Sequence, residues 1–219
     1  MPKLNLVHAY DIQEASGVDG RYYRTPDGKE YPSVTTILGR QPKPQLDAWF
    51  KKLGDEAHRL VRQSSVAGRS LHSQCESWLL NEPLPAALQA HRWLFRDMMP
   101  LLNNISAVYG VELALWSDRL QVAGRTDCVG VYSGVPSIVD FKNSRKPKER
   151  KYLDGYFMQS TMYAMMFSEL YRIPIQQIVV LVSLWGGGNQ EFIEPAANWV
   201  DRVIELQMAH NELWSIERQ

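Results

Sequence analysis

Asp127, Asp140 and Lys142 are the residues whose types and spacing first suggest chemistry. Asp127 falls in the run LQVAGRTDCVGVY and Asp140 in the run PSIVDFKN, both β-rich and joined across Ser133-Gly134, a pair of turn formers. A hairpin lays such runs about 5 Å apart, close enough for two carboxylates on one face to share a divalent ion. Hard oxygen donors, with no cluster of histidines or cysteines nearby, favour Mg2+ or Mn2+ over Zn2+. Lys142 lies two residues beyond Asp140 and so shares its strand face. Its amine would orient or help deprotonate a water and offset the charge of a phosphate. Phe141 is expected to point the other way, into the core, with its carbonyl completing the coordination. Such a site suits metal-assisted phosphodiester hydrolysis. Asp27-Gly28-Lys29 has the same spacing but reads as a turn, which cannot hold two side chains on one rigid face.

Two further patterns converge on this pair. In GRSLH, His72 follows Gly68 by four residues and precedes Glu76 by four, placing all three on one helix face. The glycine permits close packing near the metal, and His72 is a candidate extra ligand; an ordinary hydrogen-bonded core histidine is the competing reading. In QSTMY, Gln159 and Tyr163 share a face of the next helix, directed at the site and a DNA backbone or simply at the core.

These residues need a scaffold, and the hydropathy pattern supplies one. YYRTPDGKEYPSV reads as a hairpin turning at Pro26-Asp27-Gly28, and SVTTIL as a helix capped by Ser33 or a short strand. PQLDAWFKKLGDEAHRLVRQ has helical spacing, with Leu46, Trp49, Phe50 and Leu53 on one face and a break at Gly54-Asp55. SVAGRSLHSQCESWLL reads as a separate helix, and PAALQAHRWLFRDMMPLL as another with Leu88, Trp93 and Phe95 inward. After Asn104 the pattern turns to strands: ISAVYGVELALWS, the two aspartate runs, then a helix DGYFMQSTMYAMMFSELYR, a buried strand IQQIVVLVSLW, a glycine turn, a short strand QEFIEP and a closing helix. The expectation is one α/β domain: a mainly helical part over 1–104 with an early hairpin, then a core over 105–219 with a mixed central sheet flanked by helices.

Composition narrows the function classes. The chain has 219 residues, 45% hydrophobic and 22% charged, with zero formal net charge. No apolar run approaches the roughly 20 residues that span a bilayer. The start lacks a charged head followed by an apolar stretch, so a cytoplasmic protein of a bacterial or phage-infected cell is expected. Cys75 and Cys128 read as buried thiols, and two cysteines cannot ligate an iron–sulfur cluster. The loop KNSRKPKERK concentrates positive charge against the single Glu149, on an otherwise slightly acidic chain. That loop suggests a contact strip for a polyanion, or else a solvated loop. Its Ser144, Arg145, Lys146 and Lys148, with Arg125 beside Asp127, are the DNA-binding candidates. Tyr22, Tyr23, Trp49 and Trp78 are either base-stacking platforms or core.

Gly68-x-x-x-His72, Glu112, Gly124-x-x-Asp127, Asp140-x-Lys142 and Gln159-x-x-x-Tyr163 stand in the order found in the RecB-like branch of the PD-(D/E)xK nucleases. Together with PSVTTIL and DFKNSRKPK, they make residues 31–185 resemble the mitochondrial genome-maintenance exonucleases and their phage relatives. The resemblance implies a restriction-endonuclease-like core and a metal-dependent DNA exonuclease acting on single strands or free ends, alongside replication or recombination proteins. It implies His72, Asp127, Asp140 and the Phe141 carbonyl as metal ligands, Lys142 as the catalytic lysine and Glu112 as an acid steering metal or DNA. Ser33, Thr35 and Thr36 would hold a backbone phosphate, and Gln159 and Tyr163 would support the site and touch substrate. Val139 stands where proline is common, and the four-cysteine cluster of some relatives is absent. A structure-specific or nicking endonuclease, or a DNA-binding module without catalysis, would carry the same motifs.

Overall fold

The computed structural model describes residues 1–17, 20–85 and 91–217. Its centre is a six-stranded mixed sheet in the order β1-β5-β6-β7-β8-β9, built from β1 (Lys3–Leu4), β5 (Ile105–Ser117), β6 (Val122–Tyr132), β7 (Val135–Ser144), β8 (Gln177–Leu184) and β9 (Asn189–Pro195). β5, β6 and β7 form an antiparallel meander, as their short turns require. β7 and β8 are parallel, so the chain must cross over between them, and α5 (Asp154–Tyr171) is that crossover. A second, three-stranded antiparallel sheet joins β2 (Gln13–Gly17), β3 (Gly20–Arg24) and β4 (Glu30–Pro32).

Helices cover both faces, which is why β7 and β8 read as nearly continuous apolar runs. Ile138, Val180 and Val182 pack with Phe157, Met162, Met166 and Phe167 of α5 and with Val203 of α6 (Val200–Glu217). Val139, Phe141, Val179 and Leu181 pack on the opposite face. There they meet Leu71 and Cys75 of α3 (Asp55–Leu79) and Phe95 and Met98 of α4 (Arg92–Leu102). The mixed α/β architecture with flanking helices is the one expected, and it is consistent with a restriction-endonuclease-like core. Cys75 and Cys128 are fully buried, as their pattern implied. Among the described residues, no helix is long and apolar enough to cross a membrane.

The N-terminal part departs from the sequence reading in three ways. First, residues 55–79 form one helix, without the expected boundary near Ser64-Ser65. Within it a Cβ on Gly68 would lie 3.0 Å from Asn143 Nδ2, so the glycine admits β7 to close approach. Second, α2 (Pro44–Leu53) buries none of its residues: Leu46 is exposed, and Trp49, Phe50 and Leu53 are half-buried. Third, β1 and β2 carry too few apolar residues to announce themselves, and tertiary pairing creates them. Gly54 does separate α2 from α3, at φ 53°. SVTTIL is α1 (Val34–Gly39), capped by Ser33. Leu88 lies outside the described residues.

Candidate active site

Asp127 and Asp140 meet where β6 and β7 part. Their ladder ends at the pair Cys128↔Val139, and beyond it the Phe141 N–H donates to Asp127 Oδ2 at 2.8 Å. The carboxylate thus takes the place of a backbone acceptor and pins the two strand ends together. Phe141 itself is buried on the α3 face, as alternation predicts. Its carbonyl is 2.8 Å from His72 Nε2 of α3. An imidazole N–H donated to a carbonyl fixes the tautomer and leaves Nδ1 for the site. Nδ1 faces Asp127 Oδ1 at 3.4 Å and Glu112 Oε1 at 3.9 Å. Ligand atoms of His72, Glu112 and Asp127 all lie within 4.8 Å of one another, a candidate metal cluster. The Phe141 carbonyl thus holds His72, and Glu112 lies in this cluster, whereas Asp140 lies outside it.

Asp140 is turned toward the opposite helix. Oδ1 accepts from Lys142 Nζ at 2.6 Å and from Gln159 Nε2 of α5 at 3.2 Å. Oδ2 is also 2.6 Å from Nζ, so the ammonium is ion-paired with both carboxylate oxygens. The Lys142 ammonium stands 5.2 Å from the centre of the Tyr156 ring.

Burial and neighbouring charge set the protonation states. Burial lifts the Asp140 carboxyl to about 6, the Asp127 charge adding to it and the Lys142 ammonium opposing it. Burial also works against ionised Asp127, but the charges of His72 and Lys142 and the Phe141 N–H prevail and hold it below the usual range. For His72, burial disfavours the cation, yet the Asp127 carboxylate outweighs it and raises the imidazole to about 10. Lys142 stays protonated: burial lowers it, and Asp140 and Asp127 more than compensate. The ammonium so held is fixed against the Asp140 carboxylate.

A cleft of about 810 Å³ opens onto His72 and Glu112, with Glu76, Asn143, Arg145 and Trp49 among its other walls. A second, of about 840 Å³, is lined by Thr35, Lys146, Tyr156 and Gln159. The two share Trp49, Ser144 and Lys148 as walls. Arg145 stacks on Trp185 with its guanidinium carbon 3.9 Å from the ring centre, and donates to Gln63 at 2.6 Å. Lys148 is braced through its backbone by Gln190.

Other expected contacts lie elsewhere. Tyr163 is only 4% exposed and packs behind Gly124, where a Cβ would fall 2.9 Å from its ring, so it supports β6 from within the core. Ser33 is buried, and its hydroxyl caps Thr36 N at 2.9 Å. The Thr36 hydroxyl is engaged with Arg21 O at 2.9 Å, leaving Thr35 as the member of the three on a cleft wall. Tyr23 and Trp78 are core, whereas Trp49 is half-exposed because α2 leaves its apolar face to the clefts. Arg125 donates to the Glu112 carbonyl at 2.7 Å. Sequence reasoning missed Asn143, which receives the Trp185 indole N–H at 2.8 Å and donates to Ser64 O at 3.2 Å. Its position one residue after Lys142 was the available signal.

Comparison with known proteins agrees in kind. No family model matches the chain. The mouse mitochondrial genome maintenance exonuclease 1 is 28% identical over 128 residues, covering 53% of this chain and 38% of the relative. The human protein of the same name is 27% identical over 144 residues, covering 59% and 39%. The matched segment therefore spans about two fifths of the length of these curated relatives. A solved structure from Eubacterium rectale, provisionally named an exonuclease, aligns with 87% of this chain and 70% of its own at a TM-score of 0.44 and 12% identity. That likeness is too slight to carry an argument. The similarity in sequence supports kinship with a nuclease family.

Proposed function

We propose that this chain is a Mg2+- or Mn2+-dependent DNA exonuclease of the RecB-like PD-(D/E)xK type, hydrolysing phosphodiester bonds of single strands or DNA ends during replication, recombination or repair. The observation that carries this reading is the pairing of two groups at the open end of one hairpin: Asp127 clustered with His72 and Glu112, and, on the adjoining strand, Asp140 paired with Lys142. The donor set fits a hard divalent cation: the Glu112 and Asp127 carboxylates and one imidazole nitrogen in one cluster, with the Asp140 carboxylate on the adjoining strand. Asp127, Asp140, Glu112 and His72 Nδ1 would hold it. When bound, such an ion polarises a phosphoryl oxygen and acidifies water.

The chain's own residues do the rest. Lys142 offsets negative charge at the phosphate and orients a water against Asp140. Gln159 fixes the Asp140 carboxylate, and Asp127 locks the strand ends so that the geometry survives substrate binding. Lys146, Lys148 and Thr35 line the second cleft, where they suit backbone phosphates. Trp49, half-exposed between the clefts, suits stacking of an unpaired base. The two curated relatives are named exonucleases, which favours action from an end.

The test uses end-labelled linear single strands and a covalently closed single-stranded circle, each with Mg2+ or Mn2+. Release of mononucleotides or short products from the linear strand, with the circle intact, is expected. Cleavage of the circle would make the enzyme an endonuclease, and binding without turnover in either metal would leave a DNA-binding module.

A further inference from the structure

β5 is kinked where it delivers Glu112. Among the described residues, five that are not glycine have positive φ: Asn81, Glu112, Gln121, Ser133 and Arg172. Four sit in turns or at a helix end, and Glu112, at φ 46°, is the one inside a strand. The pairs Val111↔Cys128 and Leu113↔Thr126 hold the register on either side, so the backbone is twisted in place with no residue inserted. A second measure of the kink comes from Gly110. In a straight strand, residues three apart are separated by about 10 Å. A Cβ on Gly110 would instead lie 3.1 Å from the Leu113 Cβ and 2.8 Å from its Cδ2. The strand folds back on itself, and glycine leaves the room.

The register sets Glu112 opposite Asp127, and the twist brings its carboxylate to the cluster with His72. It also turns the Glu112 carbonyl toward the Arg125 guanidinium, whose Nη1 donates to it at 2.7 Å. Arg125 stands two residues before Asp127 on β6, so one strand supplies both a cluster member and the clasp on its neighbour. We infer that Arg125 is a positioning residue: by holding the carbonyl of a left-handed Glu112, it keeps that carboxylate in the metal cluster, and it does not act as a phosphate contact. The inference rests on the metal-dependent reading above and assigns a new role within it.

The experiment is Mn2+ titration of the full chain without DNA, read by electron paramagnetic resonance, on wild type, Arg125→Met, Arg125→Lys, Glu112→Gln and the Arg125→Met/Glu112→Gln double variant. Loss of a group that orients a ligand weakens metal affinity by about 10-fold, and Arg125→Met should do so. Arg125→Lys, which keeps one donor and the charge, should recover most of the loss. It also keeps the test open if the methionine variant folds poorly. The double variant should bind Mn2+ no more weakly than Glu112→Gln alone, because Arg125 acts through that carboxylate. KM for a single strand and its salt dependence should stay at wild-type values in Arg125→Met. Wild-type Mn2+ affinity in Arg125→Met, together with a raised KM and a salt slope reduced by about one, would make Arg125 a phosphate contact and overturn the inference. Additive losses in the double variant would overturn it as well. Wild-type protein that binds no Mn2+ would instead sink the metal reading on which the inference stands.

Discussion

Replacing Lys142 with methionine should destabilise the metal-free protein in a way that depends on pH. The ammonium is 2.6 Å from Asp140, and the carboxyl already titrates near 6 with that charge present. Without it, the buried carboxylate must take up a proton at neutral pH. Protonation of a group whose unfolded value is about 3.9 costs about 4 kcal/mol at pH 7, at 1.36 kcal/mol per unit. That figure caps the penalty and falls within the ~3–5 kcal/mol typical of breaking a buried ion pair. The sign follows from the raised folded pKa: the protonated state is favoured by folding, so stability is regained as pH falls. The cap drops to about 1.5 kcal/mol at pH 5, and wild type recovers part of the same term as its own Asp140 titrates near 6. The penalty of Lys142→Met relative to wild type should therefore shrink by about 1 to 1.5 kcal/mol between pH 7 and pH 5. Urea unfolding in EDTA at the two pH values measures it. An Asp140→Asn/Lys142→Met double variant, with both charges gone, should lie within about 1 kcal/mol of wild type. A penalty that stays constant or grows on acidification, or a double variant as unstable as the single one, would refute the reasoning.

Other outcomes follow from the same geometry. Gly124→Ala should cost about 1–3 kcal/mol, because its Cβ would fall 2.9 Å from the Tyr163 ring in a fully packed layer; an unchanged melting temperature would mean that Tyr163 yields freely. In metal-free protein the His72 imidazole should stay protonated through pH 8 by NMR, titrating at about 10. Its contribution to stability is complete below about 6.5 and is lost as pH rises through 10, and a midpoint near 6.5 would contradict the Asp127 pairing. Lys146→Ala should raise KM for single strands and lower the salt slope by about one with kcat unchanged, whereas an unchanged salt slope would remove the basic loop from the DNA path.

The strands and their aspartates were legible because β-branched runs and turn chemistry are local: Ser133-Gly134 and those runs place Asp127 and Asp140 together without reference to the rest of the chain. Lys142 shared the face of Asp140 for the same reason. The helix of His72 was readable, but not its partner, since the Phe141 carbonyl comes from a strand sixty-nine positions away. Glu112 could be matched only by its place in a motif; its backbone twist has no signature in residue type, because glutamate gives no hint of φ 46°. Arg125 read as a phosphate binder from its charge alone, and only geometry reveals the carbonyl it holds. The cover of α2 was not legible for the converse reason: periodicity says that a helix has an apolar side, not that anything covers it.

Anomalous diffraction from crystals soaked in Mn2+ tests the proposed metal centre most directly. One peak is expected at about 2.0–2.2 Å from carboxylate oxygens of both Asp127 and Asp140, near His72 Nδ1 and Glu112, and absent in Asp140→Asn. A Mn2+ peak elsewhere, or no peak with the Asp140 carboxylate still closed on Lys142, would contradict a catalytic metal at the end of this hairpin.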